Sequence, residues 1–290
     1  MANRIKDTDY LAISARIKAM ETGLLTRERM EQVLEARTDE EAVKILQECG
    51  YPELDARSPE AMDAALSAAR EATLSDVLDG APDPRYIDIF KLKYDYHNIK
   101  AVLKAAAMNV SPDSMLMDMG RVPAAALKEA VLTGRLDELP EGLAAAAAEA
   151  KEVLDTTRDP QLSDIALDRR CYQEMAAVAE ETGSAFLAGY VKIQIDAANL
   201  RSLVRTLRMG KGGEFLKTVL LEGGDIGTDA VAAAGNSGAL QELYGPTALQ
   251  AAAEAGAEAL RGGPLTAFEK LCDDAVGEYL AGAQFVPFGE

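Results

Sequence analysis

The stretch "YDYHNIKAVLKA" at residues 94–105 returns in altered form as "IDAANLRSLVRT" at residues 195–206. Asp95 matches Asp196, Asn98 matches Asn199, Ile99 matches Leu200 and Lys100 matches Arg201, all 101 residues apart. The match continues through Val102/Leu203, Leu103/Val204 and Lys104/Arg205, with Lys91/Lys192 and Met108/Met209 on either side. Repetition at a fixed period marks a chain built from copies of one supersecondary unit. The same offset therefore sets the frame for everything around it.

Upstream, "ALSAAREATLSDVLDG" (65–80) aligns with "ALDRRCYQEMAAVAEE" (166–181) through Leu66/Leu167, Leu74/Met175 and Leu78/Ala179. A further step reaches "AFEKLCDDAVGEYLAG" (267–282), where Phe268, Val276 and Leu280 hold the same slots. Cys171 and Cys272 share one position, occupied by Arg70 in the first copy. The expected organisation is three similar helical units, divided as 1–110, 111–213 and 214–290. In each complete unit a first helix leads through a short Pro- or Gly-containing link to an Asp-x-x-Asn helix. The third Asp and Asn fall past Glu290, so the third unit reads as incomplete, by loss of its second half or by truncation. Its first helix, Phe268 to Leu280, is accordingly expected to lack an intramolecular partner. Poor order after about residue 260, or self-association with a second copy of the chain, follows from that expectation.

Helix punctuation points to an all-α fold. Thr38 with Glu41 reads as a capping box, and Ser58-Pro59 as an N-cap followed by Pro at the first helical position. Leu139-Pro140-Glu141 resembles another start, and Gly23, Gly50, Gly183 and Gly210 read as stops. Helices are expected at 8–21, 26–35, 39–48, 59–78, 85–108, 123–132, 140–153, 161–181, 184–208, 214–221, 228–234, 238–242, 246–260 and 264–282. Residues 210–227, "GKGGEFLKTVLLEGGDIG", read as a glycine-rich linker around one short apolar stretch.

The composition agrees with this reading. Of 290 residues, 48% are apolar and 5% aromatic, which supports a sizeable helical core. A net charge of −18 repels phosphate backbones and anionic lipid, and no Lys/Arg cluster with interleaved aromatics offsets it, so no nucleic-acid partner is expected. No run has the length of a membrane span, and "MANRIKDTDY" has no apolar signal core. A cytoplasmic location is expected, with membrane contact only through a partner. Cys49, Cys171 and Cys272 are odd in number and lack C-x-x-C spacing, which argues against a disulfide framework or zinc knuckle.

The two aspartates carry the most information. Asp95, Ile99, Val102 and Ala106 follow the rhythm of one helix face, as do Asp196, Leu200, Leu203 and Leu207. Each carboxylate thus lies in line with an apolar stripe and must find hydrogen-bond partners, because burying it unpaired is costly. Backbone N–H groups at a neighbouring helix start, or an arginine, would serve. Asn98 and Asn199, three residues on, can bridge a loop carbonyl and amide. Asp95, Asn98, Asp196 and Asn199 are therefore read as structural clamps repeated in each unit. A ligand or metal site would require the two copies to converge in space.

Catalytic constellations fail one by one. His97 is the single histidine, so an H-E-x-x-H zinc site, which needs two, is excluded and a His-based triad nearly so. "RMGKGGE" lacks the early glycine and the Ser/Thr after Lys211 that a phosphate-binding loop needs, and "EGGDIG" misses the dinucleotide spacing. Cys171 and Cys272 read as small core residues rather than nucleophiles. No catalytic residue, cofactor or metal ligand is expected.

Taken in order, "ARIKAMETGLLTRERMEQVLEARTDEEAVKILQECGY" (15–51), "KYDYHNIKAVLKA", "DIALDRRCYQEM", "DAANLRSLVRTLRMG" and "FEKLCDDAVGEYLAGAQFVPFG" (268–289) resemble the C subunit of prokaryotic A/V-type rotary ATPases, the family of the eukaryotic V-ATPase d subunit. The resemblance spans nearly the whole chain. It implies a non-catalytic, funnel-shaped, all-α protein of three similar helical units in pseudo-threefold arrangement. Such a protein sits on the cytoplasmic face of the membrane rotor ring and receives the central shaft, formed by the D and F subunits. The resemblance also implies a part in proton or sodium transport coupled to ATP hydrolysis or synthesis. The chain departs from the family pattern in ending after "VPFG". Two other readings stand beside it: a helical-repeat scaffold for unrelated protein partners, and an all-α enzyme using Asp95 or Asp196 as general base.

Overall fold

The computed structural model describes residues 5–52, 54–55, 58–234 and 237–286, and among these every regular element is helical. Fourteen α-helices follow one another: α1 (Leu11–Glu21), α2 (Arg27–Glu35), α3 (Asp39–Glu48), α4 (Pro59–Gly80), α5 (Arg85–Met108), α6 (Ala124–Thr133), α7 (Glu141–Thr157), α8 (Pro160–Thr182), α9 (Ala185–Arg208), α10 (Gly213–Val219), α11 (Thr228–Ala233), α12 (Ser237–Tyr244), α13 (Gln250–Leu260) and α14 (Leu265–Ala281). Single 3-10 turns precede α1 and lie at Asp113–Met115, Leu136–Glu138 and Gly282–Phe285. The chain forms two compact units whose boundary falls inside α5, between Ile87 and Asp88.

The helix ends follow from local chemistry. Ser58 accepts from Ala61 N–H at 3.2 Å with Pro59 at the first helical position. Ser184 accepts from Leu187 N–H at 3.2 Å, satisfying a donor that the first turn of α9 leaves open. Thr38 caps Glu41 N–H at 3.2 Å, but Glu41 reaches back to Arg37 N–H at 2.9 Å, one residue before the position that a capping box uses. Gly50, Gly183 and Gly210 take positive φ after α3, α8 and α9, the left-handed step that ends a helix. The helix expected from residue 246 starts at Gln250, after a turn in which Thr247 Oγ1 accepts from Leu249 N–H.

In the N-terminal unit, Arg16 of α1 forms a two-point ion pair with Asp76 of α4, and Ile13 lies against Gly80. No residue of α2, α3 or α4 is buried, so this unit has a thin core. The second unit is different. Leu92, Ile99 and Val102 of α5, Leu167 of α8 and Leu200 and Leu203 of α9 are wholly removed from solvent. At roughly 1.5–3 kcal/mol for each large side chain taken out of water, this core supplies most of the unit's cohesion.

One expectation is overturned here. The face of α14 is not without a partner. Phe268 and Cys272 are 0% exposed, packed within the chain against α9 and α13. Phe268 lies against Gly256 of α13, where even a Cβ would crowd its ring, and Tyr279 donates to Phe186 O of α9 at 2.9 Å while stacking on the Phe186 ring. The cover is thus shared between α13, which precedes α14 in the chain, and the Asp-x-x-Asn helix α9.

Candidate functional site

Each Asp/Asn pair holds the loop that follows its own helix. On α5, Asn98 donates from Nδ2 to Met117 O at 2.8 Å and accepts from Met117 N–H at 2.9 Å. On α9, Asn199 does the same with Leu221 O and N–H, both at 2.8 Å. A side-chain amide has one donor face and one acceptor face, so it can complete both hydrogen bonds of one extended residue as a sheet neighbour would. The loop residue stands 19 positions after Asn98 but 22 after Asn199, so the second loop is three residues longer.

The aspartates grip the same loops four and five residues further on. Asp95 accepts from Val122 N–H at 3.2 Å and from Arg121 Nε at 3.0 Å. Asp196 accepts from Asp225 N–H at 3.0 Å and Ile226 N–H at 3.2 Å. Between the two anchor points lies a glycine: a Cβ on Gly120 would overlap Asp95 Oδ1, and one on Gly224 would overlap Asp196 Oδ1. Neither glycine has positive φ, so space rather than backbone angle demands it. An acidic residue then closes the loop onto the next helix. Asp118 accepts from Ala124 N–H at 2.8 Å, and Glu222 accepts from Thr228 Oγ1 at 2.7 Å. The segments "LMDMGRV" and "LLEGGDI" are thus one motif in two copies, an apolar anchor, an acid, and a glycine two residues later. The second copy lies in the stretch expected to be a linker, and is instead an anchored loop.

The surroundings of the two carboxylates differ. Arg121 reaches from Asp95 to Glu174 of α8, with Nη2 2.8 Å from Glu174 Oε1, and Tyr96 donates to the other Glu174 oxygen at 2.8 Å. Asp196 has no such cation; Asp225, at the position of Arg121, turns outward and pairs with Lys192 at 2.8 Å. Burial pushes the carboxyl groups of Asp95 and Asp196 above the usual aspartate range, opposed by the N–H donors and, for Asp95, by Arg121. Burial pulls the guanidinium of Arg121 down, but Glu174 and Asp95 together hold it above its ordinary value.

Other candidates from the sequence are placed as follows. His97 is exposed, with Nε2 3.0 Å from Met115 O, so it lies over the loop rather than in a cleft. Cys171 and Cys272 are buried, and burial pushes their thiols up to about 12 and about 11, which leaves almost no thiolate at neutral pH. Among the described residues no three His, Cys, Asp or Glu side chains converge as metal ligands, and no helix is long and apolar enough to cross a membrane. The carboxylates of Asp95 and Asp196 spend their lone pairs on N–H groups of the fold. Arg121, Glu174, Gly120 and Gly224 complete the two sites without any signal in the helix repeat that would have marked them.

The helix pairs repeat as well. Lys100 and Lys104 of α5 pair with Asp168 and Asp164 of α8, each at 2.5 Å. At the same repeat positions, Arg201 and Arg205 of α9 pair with Asp273 and Glu269 of α14 at 2.5 and 2.6 Å.

Comparison with known proteins places this architecture. The C subunit of the V-type sodium ATPase of Enterococcus hirae is 25% identical over 224 residues, covering 77% of this chain and 68% of that protein. The C subunit of the A-type ATP synthase of Methanocaldococcus jannaschii is 25% identical over 292 residues, covering 93% and 73%. That of Thermococcus onnurineus is 27% identical over 238 residues, covering 78% and 64%. The pattern of the family described as ATP synthase (C/AC39) subunit matches residues 13–289. With only helices among its described regular elements, and matched over residues 13–289, this chain belongs to the ATP synthase (C/AC39) subunit family.

Proposed function

We propose that this chain is a non-catalytic central-stalk component of a V/A-type ATPase, joining the D/F shaft to the membrane rotor ring so that ATP hydrolysis or synthesis is coupled to proton or sodium transport. The observation that carries the reading is the family match over residues 13–289. It is supported by relatives named as the C subunits of a sodium ATPase and of ATP synthases. In this proposal Asp95, Asn98, Asp196 and Asn199 act as clamps that keep each helix and its following loop a single rigid piece, as a part that transmits torque requires. The chain then works as three repeats, 1–110, 111–213 and 214–290, and sits on the cytoplasmic face of the membrane through the rotor ring. No cofactor is assigned to it.

Affinity purification of the tagged chain from native membranes tests the proposal. Recovery of the D and F subunits and the ring proteolipid in one complex is the expected result. Recovery of an unrelated set of proteins would replace it with the scaffold reading. Purified chain is expected to show no ATP hydrolysis, and turnover that follows the protein through successive columns would overturn the non-catalytic assignment.

A further inference from the structure

The ion pairs of the second unit fix the directions of its long helices. Lys100–Asp168 and Lys104–Asp164 set α5 antiparallel to α8, and Arg201–Asp273 and Arg205–Glu269 set α9 antiparallel to α14. Only Gly183 and Ser184 separate α8 from α9, so these two are antiparallel as well. One end of the unit therefore gathers the last turns of α5 and α9, the first turns of α8 and α14, and the links that enter α8 and α14.

Two kinds of side chain are left open at that end. Met108 and Met209, at one repeat position, are 73% and 56% exposed, and Val110 and Leu162, near the ends of the same helices, are 51% and 38% exposed. The others are cations: Arg158 before α8, Arg208 and Lys211 at the end of α9, and Arg261 before α14. All four are exposed, and none has an ion pair among the described residues. Arg208 reaches the Gly263 carbonyl at 3.1 Å, and Lys211 lies 3.8 Å from the centre of the Phe215 ring. The acids nearby are already matched: Asp155 by Lys151, Asp164 by Lys104, Glu214 by Lys217 and Glu269 by Arg205. Asp159 accepts from Gln161 N–H, and Glu258 is exposed without an ion pair among the described residues. In a chain of net charge −18, this end carries an excess of positive charge.

Arg158 is the sharpest observation. It ends α7 at φ 56°, in the left-handed region where Gly134, Gly183 and Gly210 end α6, α8 and α9. A side chain with a Cβ is disfavoured there. Nothing inside the described chain offsets that cost: the guanidinium has no hydrogen bond or ion pair, and Asp155, whose charge it feels, is paired with Lys151. Strain without an internal contact points to a contact outside the chain.

We infer that this end of the second unit is a docking surface for a protein segment that sets carboxylates beside apolar side chains. The carboxylates answer Arg158, Arg208, Lys211 and Arg261. The apolar side chains cover Met108 and Met209, whose flexible thioethers adapt to an irregular partner. An anionic bilayer would offer similar charge, but it repels a chain of net charge −18 as a whole. The inference rests on this surface, and it stands whether or not the partner belongs to a rotary complex.

The test places a photo-reactive group at the surface, as Met209→p-benzoylphenylalanine in the tagged full chain, irradiated in native membranes with the adduct sequenced. The expected adduct is with a protein segment in which carboxylates are interleaved with apolar side chains. Arg158→Glu with Arg261→Glu should lower its yield roughly tenfold or more, since like charges then meet. Added salt should lower it in the parent chain, which carries the test even where a thermal melt shows the double variant to be unfolded. The same group placed by Glu180→p-benzoylphenylalanine, at the opposite end of α8, should not give this adduct. No adduct at position 209, adducts with neutral or basic segments only, or a yield indifferent to charge and salt would overturn the inference. So would flotation of the purified chain with phosphatidylserine vesicles that the charge reversal abolishes, because it would assign the end to lipid. The identity of the adduct tests the proposed function separately: a D, F or ring subunit supports it, and an acidic segment of any other protein upholds this inference without it.

Discussion

The two Asp/Asn sites hold equivalent loops with unequal means. At the first, Asp95 shares Arg121 with Glu174, so the α5 loop is tied to α8 as well as to its own helix. At the second, Asp196 is held by two backbone amides alone, and the loop's own ion pair, Asp225 with Lys192, returns to α9. The comparison separates two jobs that a buried carboxylate can do. Shaping a loop needs only N–H donors. Fastening that loop to the next repeat needs a cation and a second acid.

Asp95→Ala should have the largest effect. It leaves Arg121 mostly buried with one acid in place of two, and breaking such a pair costs about 3–5 kcal/mol. Thermal or urea melting measures it, and a loss no greater than that of Asp196→Ala would show that Arg121 adds nothing. Gly120→Ala and Gly224→Ala should each cost about 1–3 kcal/mol, because the new Cβ meets the carboxylate oxygen and the loop must shift. The two costs should be alike, since this feature is common to both sites. Asp196→Ala should cost about 1–3 kcal/mol for the amides left unpaired, with no activity lost. An unchanged midpoint would remove the case for a clamp there.

Protonation sharpens the contrast further. Both carboxyl groups have folded pKa values raised above 3.8, so the folded state holds the proton more tightly than the unfolded state. Their contribution to stability is therefore greatest below 3.8 and falls as pH rises through the raised values. Arg121→Met removes a group that lowers Asp95, so its folded value should climb and the falling window should extend upward. Melting midpoints should show this variant closest to the wild type in acid and furthest from it at neutral pH; a gap independent of pH would count against the ionised pair. The smallest effect belongs to the exposed pairs: Arg205→Met should cost only about 0.2–1 kcal/mol, a loss that added salt reduces in the parent.

Much of this is legible in the sequence, for identifiable reasons. Ser58-Pro59, Gly183 and Gly210 announce helix ends because caps need particular side chains or none. Asp95 and Asp196 stand in line with apolar stripes, and the structure buries both. The loops are illegible because their part is played by backbone N–H groups, which every residue except proline carries. Their three-residue difference in length also takes "LLEGGDI" out of the register that pairs the helices. Arg121 has no counterpart in the second copy, so the repeat gives no hint of it. The cover of α14 is hidden for another reason: part of it comes from α9, outside the 214–290 stretch, and part from α13, whose sequence the helix repeat does not include.

The buried cysteines carry a practical consequence. Cys171 sits among Lys100, Asp168 and Glu174 where α5 meets α8, and Cys272 among Arg201, Asp273 and Glu269 where α9 meets α14. Each repeat-to-repeat seam thus contains one native thiol, silent toward alkylating reagents while the seam is shut. Cys49, in the other unit and partly exposed, reacts independently as an internal reference. The rates at which Cys171 and Cys272 become labelled therefore report the opening of the two seams separately, without the introduction of a single foreign probe.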